Sequence, residues 1–172
     1  LASGQLMWRD GEGWHRASGE LAKLNLWDLT TTPAGNLALI VPPDVALLEG
    51  DRLKTIRLAP TGIGTPWAIV PGNLPGSRDL FVSGSSGLVR MRGDRVRQLD
   101  ERRFPWITWV RTLQQTPDGE TWLFSRTGAY KVATVDFVRA FDDPQAPLPY
   151  TKLDALDGPA STVLKGGFAG AQ

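Results

Sequence analysis

Apolar residues along this chain come in short bursts separated by Gly, Pro, Asp and Ser. No segment carries them at i, i+3, i+4 and i+7 over a useful length, so the pattern predicts strands and scarcely any helix. The run Leu37-Ala38-Leu39-Ile40-Val41 is apolar throughout, as expected of a strand buried on both faces. By contrast, Leu53-Lys54-Thr55-Ile56 mixes polar and apolar positions, as expected of an outer strand with one wet face.

These bursts repeat. Asn25-Leu26-Trp27-Asp28-Leu29-Thr30-Thr31-Thr32, a turn at Pro33–Asn36 and Leu37–Val41 form one copy. Thr65-Pro66-Trp67-Ala68-Ile69-Val70, a turn around Pro75-Gly76-Ser77 and Asp79-Leu80-Phe81-Val82-Ser83 form the next. Thr108-Trp109-Val110-Arg111-Thr112-Leu113, a turn at Pro117-Asp118-Gly119-Glu120 and Thr121-Trp122-Leu123-Phe124-Ser125 form the third. The leading Trp recurs after 40 and then 42 residues. Each copy continues into a third strand (Val45–Leu48, Leu88–Met91, Ala129–Val132). A fourth follows through Gly50-Asp51 or Gly93-Asp94, and in the last copy through Thr134-Val135-Asp136 into Phe137-Val138-Arg139-Ala140-Phe141.

Four short strands joined by tight turns, repeated at this period, are the unit of a β-propeller blade. One such sheet cannot bury both faces alone, so blades stack around an axis. The fold class expected is therefore all-β, a run of antiparallel four-stranded blades. Its divisions are a half blade at 1–20, blades at 24–58, 65–100 and 106–141, a connection at 142–160, and the start of a further blade at 161–172. Entry and exit in mid-blade read as an arc of a larger propeller.

Composition narrows the chemistry. The 172 residues carry 19 Lys and Arg against 18 Asp and Glu, a net charge of +1, which supplies no field to gather nucleic acid or an anionic membrane. No apolar run reaches the ~20 residues of a membrane span. The chain has no Cys, so disulfides, thiolate chemistry and Cys-ligated zinc are excluded. With 19 Gly, 13 Pro and seven Trp, it is rich in turn formers and in large packing surfaces.

The string Gln115-Thr116-Pro117-Asp118-Gly119-Glu120-Thr121-Trp122-Leu123-Phe124, followed by Thr127-Gly128-Ala129-Tyr130, resembles the regulator-propeller repeats of two-component sensors. Tyr150–Pro159 is similar to the Asp-Gly-Leu-Pro link between such blades, without its Leu. The likeness runs over residues 24–159. Pro33-Ala34-Gly35 and Leu74-Pro75-Gly76 lack the turn Asp, and Ala38 and Phe81 stand where the third copy has Trp122. The resemblance implies the extracytoplasmic, periplasmic sensor segment of a membrane histidine kinase or diguanylate cyclase. Such a segment is non-catalytic and takes a small molecule, a glycan or another propeller protomer as partner.

Residue chemistry adds little to this. His15 is the sole imidazole, which excludes multi-His metal sites and His-based triads. The repeat aligns it with Lys54, Arg97 and Arg139, a solvent-facing place on an outer strand. Carboxylate pairs for glycosidic chemistry, the alternative reading as a carbohydrate-active enzyme, are Asp142-Asp143 and Asp154 with Asp157. Both read more simply as turn residues in a Pro-rich connection. Gly84-Ser85-Ser86-Gly87 reads as a hairpin turn, because no Lys and no helix follow it.

Arg90, Arg92, Arg95, Arg97, Arg102 and Arg103 make a basic stretch interleaved with Asp94, Asp100 and Glu101, which reads as structural edge charge. Trp27, Trp67 and Trp109 share one blade position and are expected to pack between neighbouring blades. Trp106, beside Pro105, is the better candidate for exposure, although core or rim packing outweighs ligand stacking for these residues. No catalytic residue, metal ligand or cofactor is assigned, and no ligand-binding residue stands out. Any ligand is expected at the connections Ala59–Thr65, Glu101–Trp106 and Asp142–Ser161. A plain protein–protein scaffold is the remaining alternative.

Overall fold

The computed structural model describes residues 6–50 and 52–153. It opens with a hairpin of β1 (Met7–Asp10) and β2 (Gly13–Arg16). Three four-stranded antiparallel sheets follow, each in simple chain order. The first holds β3 (Asp28–Thr31), β4 (Leu37–Val41), β5 (Asp44–Glu49) and β6 (Arg52–Ile56). The second holds β7 (Pro66–Pro71), β8 (Leu80–Gly84), β9 (Gly87–Arg92) and β10 (Arg95–Asp100). The third holds β11 (Thr112–Gln115), β12 (Glu120–Ser125), β13 (Gly128–Ala133) and β14 (Thr151–Leu153), with α1 (Thr134–Asp142) inserted between β13 and β14.

The middle sheet shows why blades stack. Along β8 and β9 successive side chains point to opposite faces, and both faces are buried. Leu80, Val82, Val89 and Met91 join Ala38, Ile40 and Val45 of the first sheet in one core. Phe81 and Leu88 join Leu113, Leu123, Tyr130 and Val132 of the third in another. Polar links reinforce the joints. Asp28 Oδ2 accepts the Ile69 N–H at 2.9 Å. The Asn73 amide accepts the Gln115 N–H at 3.2 Å and donates to the Gln115 carbonyl, pairing with β11 as a backbone amide would.

Two sequence expectations are overturned in the third sheet. Phe137–Phe141 is helix, not the fourth strand, so the blade placed at 106–141 instead closes with β14, inside the segment read as a connection at 142–160. The reason is a periodicity that the repeat alignment obscured. Thr134, Phe137, Ala140 and Phe141 fall on one helical face and are all buried, while Val135 and Arg139 are exposed. Thr134 fixes the start, its N–H donating to the Gly119 carbonyl and its hydroxyl meeting that of Thr121 at 2.8 Å.

His15 is also misassigned. It is half-buried, and the neighbouring Trp14 takes the exposed face of β2. The further blade at 161–172, the turn residue Asp51 and the pair Asp154 and Asp157 lie outside the described residues.

Candidate ligand-binding site

The innermost strands β3, β7 and β11 lie side by side, and each begins beside the tryptophan that leads its repeat. The three indoles form a ladder. Trp27 stacks on Trp67 at 6.5 Å between ring centroids with 25° between planes, and Trp67 meets Trp109 at 4.4 Å and 40°. The expected packing between neighbouring blades is thus observed.

Three backbone devices aim these rings. Trp27 lies just before β3 and extends the pairing by donating its N–H to Ile40 O at 2.9 Å. Trp67 is the extra residue of a bulge, since Pro66 pairs with Gly84 and Ala68 with Ser83. A bulge re-aims a side chain in this way. Trp109 is the sole non-glycine with positive φ among the described residues, at 53°. That conformation costs a bulky residue on the order of 1–3 kcal/mol, so the packing around it must hold it there.

Two guanidiniums border the ladder. Arg111 Cζ lies 5.5 Å from the Trp67 ring centroid and Arg126 Cζ 5.1 Å from that of Trp109. Arg126 sits in the β12–β13 turn, and the Arg111 N–H donates to Phe124 O at 2.6 Å, so both belong to the same end of the third blade. Trp67 Nε1 is buried and has no acceptor. A buried N–H left unpaired costs roughly 1–3 kcal/mol, so it marks a place where an acceptor would be welcome.

Of the expected rim, the 59–65 connection lies at this same end, whereas Pro149 and Tyr150 of the third connection lie beside residues 118–120 at the opposite end. The 59–65 connection leads into β7 and lies against the β8–β9 turn, through Ser85 N–H to Thr65 O and Ser86 N–H to Ile63 O. Gly84 lies against it too, with room for no side chain.

The other candidates resolve into structure. Trp106, the better candidate for exposure, is half-buried and packs among Phe104, Tyr130 and Tyr150 at centroid distances of 6.4, 5.0 and 4.6 Å, as the favoured packing reading expects. Proline at 105 begins a short 3-10 turn that tips its ring inward. Among the described residues, Trp14 and Trp27 are the exposed indoles.

Asp142 pairs with Arg90 at 2.9 Å, and Asp143 accepts the Gln145 N–H at 2.8 Å, so this pair is occupied by the fold. Within the basic stretch, Arg92 binds Asp79 through two hydrogen bonds of 2.7 and 2.9 Å. Arg90 Nε stands 3.1 Å from Asp79 Oδ2, an ion pair too bent to count as a hydrogen bond. Arg103 donates to the carbonyls of Ala140 in α1 and of Asp143 and Ala146 after it. These arginines are structural, but Arg90, buried on the interior strand β9, is not the edge charge that the sequence suggested.

Burial alone would raise the Asp79 carboxyl. The Arg92 hydrogen bonds, with the charges of Arg90 and Arg92, outweigh it and hold Asp79 below the ordinary carboxylate range. Asp28 goes the other way: desolvation raises it, against the N–H groups of Ile69 and Leu29. Among the described residues, no group of three or more His, Asp or Glu side chains is placed to hold a metal ion.

At the opposite end of the strands, two clefts of about 550 and 620 Å³ open between the hairpin turns of adjacent blades. The first is lined largely by apolar groups such as Leu74, Pro75, Val135 and Val138, with Asp79 and Arg92 already paired to each other.

No family model matches the sequence, and no curated protein matches it. A solved structure does resemble it. A catalytically inactive variant of virginiamycin B lyase from Staphylococcus aureus, solved with Quinupristin, superposes with a TM-score of 0.61 at 12% identity. The match covers 88% of this chain and 50% of that one. The fold is a β-propeller. At this identity the likeness extends to fold alone, and the chain spans half the length of the propeller it matches. A protein of unknown function from Bacteroides caccae also matches, with a TM-score of 0.49, 12% identity and coverage of 77% and 50%.

Propeller geometry gives the ladder its meaning. Innermost strands line the ring axis, so Trp27, Trp67 and Trp109 form an aromatic strip at one end of that axis. The sequence signal for this strip was the Trp recurrence. Nothing in the repeat marked Arg111 or Arg126, since neither position recurs as Arg in the other copies.

Proposed function

We propose that this chain is the ligand-sensing propeller segment of an extracytoplasmic bacterial signalling receptor, non-catalytic in itself. It binds at the axis end where Trp27, Trp67 and Trp109 stack. The observation that carries the reading is the ladder: three indoles brought together by a bulge, a strained φ and a strand extension, with a buried N–H left open. Strained backbone of this kind clusters at ligand-binding sites. The non-catalytic part is supported by the carboxylates, since Asp79 and Asp142 are already paired with arginines. The receptor context rests on the resemblance of residues 115–130 to regulator-propeller repeats.

Two measurements test it. Intrinsic fluorescence of the chain, titrated with a panel of mono- and oligosaccharides and aromatic acids, should change on binding. The response should fall away in Trp67→Ala and Trp109→Ala while persisting in Trp14→Phe. For the receptor context, the flanking coding sequence should encode a membrane span and a kinase or cyclase domain. Flanks encoding only further propeller blades would refute that part.

A further inference from the structure

The ladder's charge pattern says more about its ligand. This inference rests on the binding site proposed above and concerns what that site selects. Arg90, Arg92 and Arg103, which tie the blades together, each meet a carboxylate or a carbonyl. Arg111 and Arg126 meet only indole faces, with no carboxylate partner among the described residues. The nearest acid by sequence to the ladder, Asp28, has both oxygens turned to backbone, Oδ1 to Leu29 N–H and Oδ2 to Ile69 N–H.

A guanidinium lying over a ring keeps its N–H groups free along its edges, and those edges form the fork that grips a carboxylate or phosphate through two bonds. Trp67 Nε1 adds a buried donor without an acceptor. Thus the ladder presents two guanidiniums together with aromatic surface, and neither guanidinium has a carboxylate partner among the described residues.

We infer that the ladder takes a small acidic ring compound, its ring against the indoles and its anionic group held by Arg111 and Arg126. Such an acid could be borne on a sugar or on an aromatic ring. The two sources share the recognition chemistry and are separated by the test.

The probes are two matched pairs, glucuronate with glucose and benzoate with benzyl alcohol, titrated into the 172-residue chain by calorimetry and tryptophan emission. The acid of one pair should bind, its neutral partner should bind at least tenfold more weakly, and added salt should weaken the acid. Which pair responds identifies sugar or aromatic. Arg111→Gln and Arg126→Gln should each weaken the acid about ten- to hundredfold, the scale of one charge-assisted hydrogen bond. Arg95→Gln, on the exposed edge strand β10, should leave binding unchanged, and unfolding midpoints confirm that the variants fold.

Equal binding of acid and neutral partner, unaltered in Arg111→Gln, overturns the anion inference and leaves the ladder as a binding site. Acid binding that survives Trp67→Ala and Trp109→Ala places the anion away from the ladder and overturns both readings. Failure of both acids to bind at millimolar concentration also overturns the inference.

Discussion

Arg90 of β9 and Asp142 at the end of α1 meet at 2.9 Å across the joint between the second and third blades. Arg90 is almost wholly buried, with 6% of its side chain exposed, and its other neighbour is the equally buried Asp79. Charges taken out of water in this way are costly to strand singly. The pairing therefore spends these acids and bases on assembly.

Removing one member should expose that dependence. Asp79→Ala leaves the Arg90 guanidinium buried with only its exposed partner and frees Arg92. The expected loss is about 3–5 kcal/mol in urea unfolding. The double variant Asp79→Leu with Arg90→Met should recover most of it, because an apolar pair of similar volume carries no desolvation cost.

Acid sensitivity follows from the same group. Asp79 is held below its unfolded value, so its contribution is full above about pH 4, the ordinary Asp range, and is lost as pH falls through the depressed folded value. Asp28 is raised, so its contribution is full below its unfolded value and is lost as pH rises through the raised folded value. Urea unfolding across pH should show a shallower acid limb in Asp79→Asn. Asp28→Asn should gain stability relative to wild type as pH rises from the carboxylate range towards neutrality.

At Gly84 the end of β8 nearly touches the backbone of the connection that leads into β7. A Cβ there would lie 2.3 Å from the Ile63 carbonyl oxygen, a backbone atom with little room to yield. Gly84→Ala should cost about 1–3 kcal/mol and lower the thermal midpoint. Gly11→Ala, where a Cβ meets nothing within 4 Å, should leave the midpoint nearly unchanged.

The inserted helix makes a sharp demand on one side chain. Phe137 is fully buried, 5.4 Å from the Phe81 ring centroid and 5.2 Å from that of Phe141. Phe137→Ala should destabilise by about 3–5 kcal/mol. Val135→Ala, on the exposed face of α1, should change stability by less than about 0.5 kcal/mol.

The Trp67–Trp109 pair should be visible spectroscopically. Indoles 4.4 Å apart and tilted by 40° couple their transitions, so the far-ultraviolet circular dichroism should carry an exciton couplet. Trp109→Phe should remove most of it, leaving the weaker contribution of the Trp27–Trp67 pair at 6.5 Å, whereas Trp14→Phe, at a ring 67% exposed, should leave it intact.

The sequence by itself determined the repeat, the four-strand unit, the turn at Gly84–Gly87 and the recurrence of tryptophan at one position. These features are local: a period of two, a turn residue or a fixed spacing is written in neighbouring residues. It also located the doubly buried strands, since Leu37–Val41 has no polar side chain to turn outward. Tertiary structure decided the rest. Phe137–Phe141 reads equally as strand or helix until Phe81 offers it a surface, and the helix wins because Thr134, Phe137, Ala140 and Phe141 then bury together. Trp106 and His15 turned out more buried than their surroundings implied, because the partners that cover a side chain need not lie nearby in the chain. The ladder is the clearest case: spacing placed the three tryptophans at one level, but only a bulge at Trp67 and a positive φ at Trp109 brought the rings together. Arg111 and Arg126 acquired meaning only there, since a charge becomes a site through the neighbours it lacks as well as those it has.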